Sequence, residues 1–341
     1  MKAAVFYAGH EPLHLEDIPR PEPGPGEIVM KVAACGVCHS DLHYIDHDVK
    51  TFKKPPLVLG HEASGHVAAV GQGVSSPKEG DIILLPATFS CGSCFYCRTG
   101  RENICANLRM FGNDVDGSFA EYVAAPARDT IPLPKEIPLE NASIIADAIS
   151  TPYYAVKYRA AVKSGDTVVV VGCGGMGINA VQSAAASGAR VIAVDLSPDR
   201  LQVAKRLGAA ATLNPSEHEK PAKALRQLSG GGADIAIEAI GKPQTIRLAF
   251  DSLRKAGRLC ILGYCSEDIT LPASRIMYYE MEIVGSLGCR PVDFPPLLEL
   301  VRLGKIQLEP IVTNKLPLSE INKALDYTRQ GVGLRTLVLP S

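Results

Sequence analysis

The stretch ACGVCHSDLHY (34–44) places Cys35, Cys38, His39 and His43 within nine residues. Thiolates and imidazoles are donors that zinc favours. Four such groups this close allow three readings: a closed metal clip, an open catalytic site, or coincidence. Downstream, LGHEASG adds His61 and Glu62. A catalytic zinc takes three protein ligands and keeps one position open, and Cys38 and His61 are natural first and second ligands.

A second thiol cluster is more specific. CGSCFYCRTGRENIC sets Cys91, Cys94, Cys97 and Cys105 in a C-x2-C-x2-C-x7-C pattern. Two intervening residues let one turn aim both thiols at a single tetrahedral ion, at ~2.3 Å for Zn–S. Four thiolates leave no position for water or substrate, so the pattern reads as a structural zinc site. An iron–sulfur cluster uses the same donors, but nothing else in the chain points to electron transfer. A nucleic-acid-gripping zinc ribbon is disfavoured by the formal charge of -1.

The third constellation is Gly172-Cys-Gly174-Gly175-Met-Gly177, a GxGxxG turn. Alone it is weak. Here it follows the apolar strand SGDTVVVVG, opens the helix GINAVQSAAASG, and is followed by a strand that closes on Asp195. That context is the dinucleotide fingerprint. Gly172 permits the tight turn, Gly174 lets a pyrophosphate approach the helix N-terminus, and Gly177 allows close helix–strand packing. Asp195 accepts from the adenosine ribose hydroxyls and repels a 2′-phosphate. Leu196, Ser197 and Pro198 add no positive charge, so NAD is expected over NADP.

The elements that must position these groups fall into two textures. The first ~150 residues read as short strands broken by Pro and Gly clusters: Lys2–Phe6, Glu27–Val32, Ala63–Val70, Asp81–Leu85 and Ala120–Ala124. After Ile149, strands alternate with helices, the pattern of a doubly wound α/β unit. The tail, LEPIVTNKLPLSEINKALDYTRQG, has its own strand and helix and could return to the first domain. The length of 341 residues points to two domains. Near-neutral charge gives no reason to expect nucleic acid or an anionic membrane as partner. The N-terminus has no signal-peptide pattern, and the longest apolar run is too short to span a bilayer. Ten cysteines, four of them clustered, fit metal binding in a reducing cytoplasm better than disulfides.

GVCHSDLH, GHEASG, the four-cysteine loop and GxGxxG, in this order along nearly the whole chain, resemble the zinc-dependent medium-chain alcohol dehydrogenase family. The zinc-free quinone reductases share the fold but lack both metal clusters. The resemblance implies an α/β protein with a GroES-like β-rich catalytic domain at 1–148 and 289–341 and a Rossmann doubly wound parallel-sheet domain at 149–288. Two Zn2+ per chain are expected, one catalytic and one structural. Cys38 and His61 match catalytic-zinc ligands, and Glu62 matches a glutamate beside the metal. Ser40 and His43 match a relay that carries the alcohol proton toward solvent, and Asp41 matches a supporting carboxylate. Cys35 has no assigned role and reads as a small buried hydrophobe. Among cofactor contacts, His39 and Arg335 match positions at the pyrophosphate, Thr151 one at the nicotinamide, and Arg200 one at the adenosine ribose. Gly172, Gly174, Gly175 and Gly177 form the cofactor turn.

The chain departs from the common pattern at the third ligand. Where many family members have a cysteine, ASIIADAISTPYYAV has Asp147. A carboxylate can ligate zinc at ~2.0–2.2 Å, and thiolate, carboxylate and neutral imidazole still balance a dication. Acidic third ligands occur in some sugar dehydrogenases of this family, and the ADA-x-[ST]-TPY segment resembles dehydrogenases of cyclic hydroxyacyl-CoA esters. The leading expectation is an NAD-dependent zinc alcohol dehydrogenase acting on a small alcohol or carbonyl. The same chemistry on a polyol or a cyclic hydroxyacyl-CoA thioester, and a zinc- and NAD(H)-binding redox sensor, are the alternatives. Family members associate through the cofactor domain's edge strand, so a homo-oligomer, tetramer before dimer, is expected.

Overall fold

The computed structural model describes residues 1–340. The chain divides into two compact units, one of Met1–Ser150, Gly288–Arg302 and Leu308–Ser341, the other of Thr151–Leu287 and Leu303–Gln307. The reading from sequence gave the whole of 289–341 to the first; the short segment Leu303–Gln307 instead packs with the second, where Gln307 exchanges hydrogen bonds with Gln182.

The first unit is β-rich. Its main sheet runs in the order Ile131–Pro132, Ile82–Leu85, Glu62–Val70, Glu27–Gly36, Arg335–Leu339, Val312–Pro317. Glu27–Gly36 is buried over most of its length, as a central strand covered on both faces should be, and alternates only across Met30–Ala34. It also pairs with Tyr122–Pro126. Its register sets the site: Cys35 faces Ala63 and Gly36 faces Glu62 across one antiparallel ladder, while Val338 and Leu337 face the same two residues on the other side. Gly36 is required here, because a Cβ would run into the Glu62 carboxylate. The C-terminal strand therefore returns to the centre of the first sheet.

The second unit is a six-stranded sheet, all parallel, in the order Ala209–Leu213, Arg190–Val194, Thr167–Val171, Ala233–Glu238, Leu253–Ile261, Glu282–Gly285. Sequence order reverses between Arg190–Val194 and Ala233–Glu238, on either side of Thr167–Val171. That is the switch point at which doubly wound sheets bind ligands. The run of valines in Thr167–Val171 is buried, as expected for a strand covered on both faces. The helix Gly177–Ala186 follows, and Gly188 turns the chain in the left-handed region at φ 82. The expected α/β class with these two sheet types is the observed one. No helix among the described residues is long and apolar enough to cross a membrane.

Candidate active site, metal centres and cofactor turn

Cys38 precedes the helix His39–Asp46 and caps it, its backbone N–H donating to Asp41 Oδ2 at 3.0 Å. His61 follows a turn at Gly60, whose φ of 91 and close packing on the Phe119 ring exclude a side chain. Asp147 follows the short turn Ser143–Ala146. These three segments, remote in sequence, converge. Cys38 Sγ lies 3.8 Å from Asp147 Oδ2, and His61 Nε2 lies 3.7 Å from the same oxygen. The ligand atoms of Cys38, His61, Glu62 and Asp147 all lie within 4.8 Å of one another.

The donor set fits zinc. Ligands ~2.0–2.3 Å from a tetrahedral ion sit roughly 3.4–3.6 Å apart, close to the distances seen. Both ring nitrogens of buried His61 and both oxygens of buried Glu62 have no hydrogen-bond partner among the described residues. Burial alone would lower the basicity of His61; the charge of Asp41, with the nearby polar atoms of Asp147 and Cys38, outweighs it and holds the ring well above its ordinary value. The cluster thus favours a positive charge at its centre. Asp41, fully buried, stands 3.6 Å from His61 Nδ1, where it can orient the ring. Glu62 is raised by burial, against the opposing pull of Arg335.

Ser40 lies beside the cluster, its hydroxyl 3.7 Å from Cys38 Sγ. His39 is exposed on the first turn of the same helix, and His43 is half-buried one turn on. Cys35 is fully buried, with its thiol pushed up by that burial. Arg335, expected at a pyrophosphate, is buried: it donates to Val37 O at 2.8 Å and lies 3.5 Å from Glu62.

The four-cysteine loop closes on itself. Sulfur separations are 3.4 Å (Cys91–Cys105), 3.5 Å (Cys94–Cys97), 3.7 Å (Cys94–Cys105) and 3.9 Å (Cys91–Cys97). A Zn–S bond of ~2.3 Å in a tetrahedron requires about 3.8 Å, so this is the geometry of an S4 cage. No two of these thiols form a disulfide. The backbone N–H groups of Cys91 and Asn107 point at Cys105 Sγ, both at 3.3 Å. Backbone N–H bonds from Ser93 and Cys94 bring Cys91 down to about 5, which suits a thiolate ligand.

In the second unit, Gly172 turns at φ 93, and a Cβ there would strike Ile240. A Cβ at Gly177 would meet the carbonyl of Gly172, so both positions must be glycine. Gly174 stands open, with only Arg200 Nη1 near, 4.0 Å from where its Cβ would be. Gly175 accepts from Asn179 Nδ2 at 2.7 Å. Asp195 ties the turn together: Cys173 N–H donates to Oδ2 at 2.7 Å and Ser197 N–H to Oδ1 at 2.9 Å. Thr151 is buried at the start of this unit.

Two groupings escape the sequence reading. His43 Nδ1 lies 3.1 Å from His47 Nδ1; the i, i+4 spacing in a helix was the available signal. Glu238, fully buried, accepts from the N–H groups of Ile240 and Gly241 and from Thr245 Oγ1, holding the loop that packs on Gly172. Nothing local in AIEAIG marks it.

Residues 24–135 match the family described as alcohol dehydrogenase GroES-like domain, and 175–302 match zinc-binding dehydrogenase. An alcohol dehydrogenase of Geobacillus stearothermophilus is 35% identical over 97% of both chains. An L-threonine 3-dehydrogenase of Bacillus licheniformis is 33% identical over 100% of this chain and 99% of its own. The crystal structure of an alcohol dehydrogenase from Aeropyrum pernix superposes with a TM-score of 0.91 at 34% identity over 100% of both chains.

Proposed function

The chain belongs to the zinc-dependent medium-chain alcohol dehydrogenase family, and from that membership we propose that Asp147 joins Cys38 and His61 as the third ligand of its catalytic zinc. The protein is an NAD(H)-dependent oxidoreductase that interconverts an alcohol and its aldehyde or ketone. The observation that carries the ligand reading is the approach of Asp147 Oδ2 to both Cys38 Sγ and His61 Nε2.

When bound, zinc supplies Lewis acidity and NAD supplies the hydride-accepting ring. The chain's own residues do the rest. Cys38, His61 and Asp147 hold the metal with a charge sum that balances it, and Asp41 orients His61 from behind. Ser40 takes the alcohol proton, and His43 delivers it to solvent. Gly172, Gly174, Gly175 and Gly177 shape the pyrophosphate turn. Asp195 keeps lone pairs for the ribose hydroxyls beyond those used by Cys173 and Ser197. Its negative charge favours NAD over the 2′-phosphorylated cofactor. Thr151 contributes at the nicotinamide, Arg200 at the adenosine ribose and His39 at the pyrophosphate, whereas Arg335 is buried against Val37 and Glu62 instead of standing free for that role.

The S4 cage supports a second, structural zinc. The edge strand Glu282–Gly285, paired on one side among the described residues and carrying exposed Ile283, supports association of copies as a tetramer. The clustered thiols support a reducing compartment, the cytoplasm.

The ligand reading is tested by cobalt exchange. With the S4 cage left holding zinc, cobalt placed at the Cys38–His61 cluster of the parent should give a visible spectrum that shifts in Asp147→Cys, where a thiolate replaces the carboxylate, and is weakened or lost in Asp147→Ala. An identical spectrum in all three removes Asp147 from the ligand set.

A further inference from the structure

His43 and His47 sit one helical turn apart on the helix His39–Asp46 and its C-terminal residue, with ring centroids 5.4 Å apart. Their Nδ1 atoms are 3.1 Å apart. Two nitrogens at that distance share one proton, since one ring must donate and the other accept. The contact has two tautomeric forms. In one, His43 Nδ1–H donates and its Nε2 keeps a lone pair. In the other, His47 donates, and the proton of neutral His43 occupies Nε2. Only the first leaves His43 able to act as a base through Nε2.

Asp46 interacts electrostatically with His47, but each charged group around His47 also has another partner. Asp46 is held by Arg329 at 2.7 and 2.9 Å, Arg329 also binds Asp326, and Asp48 pairs with His10 at 3.1 Å. His47 itself is exposed, whereas His43 is half-buried. Burial, and then the charge of His47, hold the His43 ring below its ordinary value.

We propose that His47 is a positioning residue for the proton relay: its Nδ1 accepts the Nδ1–H of His43 and holds His43 in the tautomer whose Nε2 takes the substrate proton. This rests on the reading of His43 as the relay base. Protons balance simply. One arrives at His43 Nε2, the imidazolium keeps its Nδ1–H bond to His47, and one proton leaves to water. Without the His47 acceptor nothing in this contact holds His43 in that tautomer.

The test compares the parent, His47→Leu, His47→Gln and His43→Ala, using NAD and the best substrate of a short-chain alcohol panel. Zinc content and NADH binding serve as folding controls. His47→Leu should lower kcat by roughly tenfold, part of the 10²–10⁴ that a whole acid–base group contributes, with KM for NAD unchanged. His47→Gln, whose amide oxygen can still accept, should recover most of that rate. In both variants the acid limb of kcat should move to higher pH, because the His47 contribution that, after burial, holds the His43 ring down is gone. Histidine-selective 15N spectra of the parent at pH 8 should show His43 protonated at Nδ1 and bare at Nε2. The opposite tautomer overturns the proposal. So does parental kcat and pH limb in His47→Leu when His43→Ala is crippled. If His43→Ala keeps full kcat, the relay reading itself has failed, and the role of His47 fails with it.

Discussion

The guanidinium of Arg335 stands 3.5 Å from the Glu62 carboxylate, with the two side chains 4% and 0% exposed. The C-terminal strand carries Arg335 beside the strand on which Gly36 makes room for Glu62. A charge at the edge of the metal cluster is therefore balanced by the last strand of the chain. Removing one partner of a buried pair leaves the other uncompensated and costs about 3–5 kcal/mol.

Arg335→Met should destabilise the first unit by that order, with a definite pH signature. Burial raises Glu62 from 4.5 to about 7 even with Arg335 present. A carboxyl whose folded value is raised contributes stability below its unfolded value and loses it as pH rises through the folded one. Without Arg335 the folded value rises further, so the deficit should be larger at pH 8 than at pH 5. Thermal unfolding of metal-free parent and variant at both pH values checks this; an equal deficit would dissociate Glu62 from Arg335.

Cys97→Ser and Cys105→Ser should each empty the S4 cage. Loss of a structural metal belongs with the largest single-site effects, more than about 4 kcal/mol. Bound zinc should fall and thermal stability drop, while NADH affinity, which rests mainly on the glycine turn and Asp195 of the other unit, changes little. Retained zinc with unchanged melting would show that the thiols do not form a metal cage.

Asp195→Ser removes the acceptor and the negative charge from the end of the second strand. Hydrogen bonds to a charged group are worth about 1.5–3 kcal/mol, so KM for NAD should rise roughly ten- to hundredfold. KM for NADP should fall at the same time, because the repulsion is gone. Parallel changes for both cofactors would place Asp195 away from the ribose.

Much of this was legible because the signals are local. The four thiols lie within one loop, and the glycine turn lies between a strand and a helix that both show their pattern. Convergence is not local. Asp147 meets Cys38 across 109 positions and Arg335 meets Val37 across 298. Only strand register and a buried turn bring them together. Family resemblance named Arg335 for the cofactor, and its pairing with Glu62 had no signature in GLRTLVL. The helix at Ser150–Tyr154 gives way to a π-helical turn at Ala155–Arg159, which no periodicity in the segment announces. The His43–His47 pair was visible as an H-x3-H spacing, but metal ligation drew attention to the other histidines.

The central claim is a carboxylate-completed zinc site beside a tetrathiolate one. The most direct measurement is zinc per chain in the purified parent and in Asp147→Ala. The account predicts two zincs in the parent and one in the variant, with NADH binding preserved in both. One zinc in both would contradict it, leaving the S4 cage filled and the Cys38–His61–Asp147 cluster without its metal.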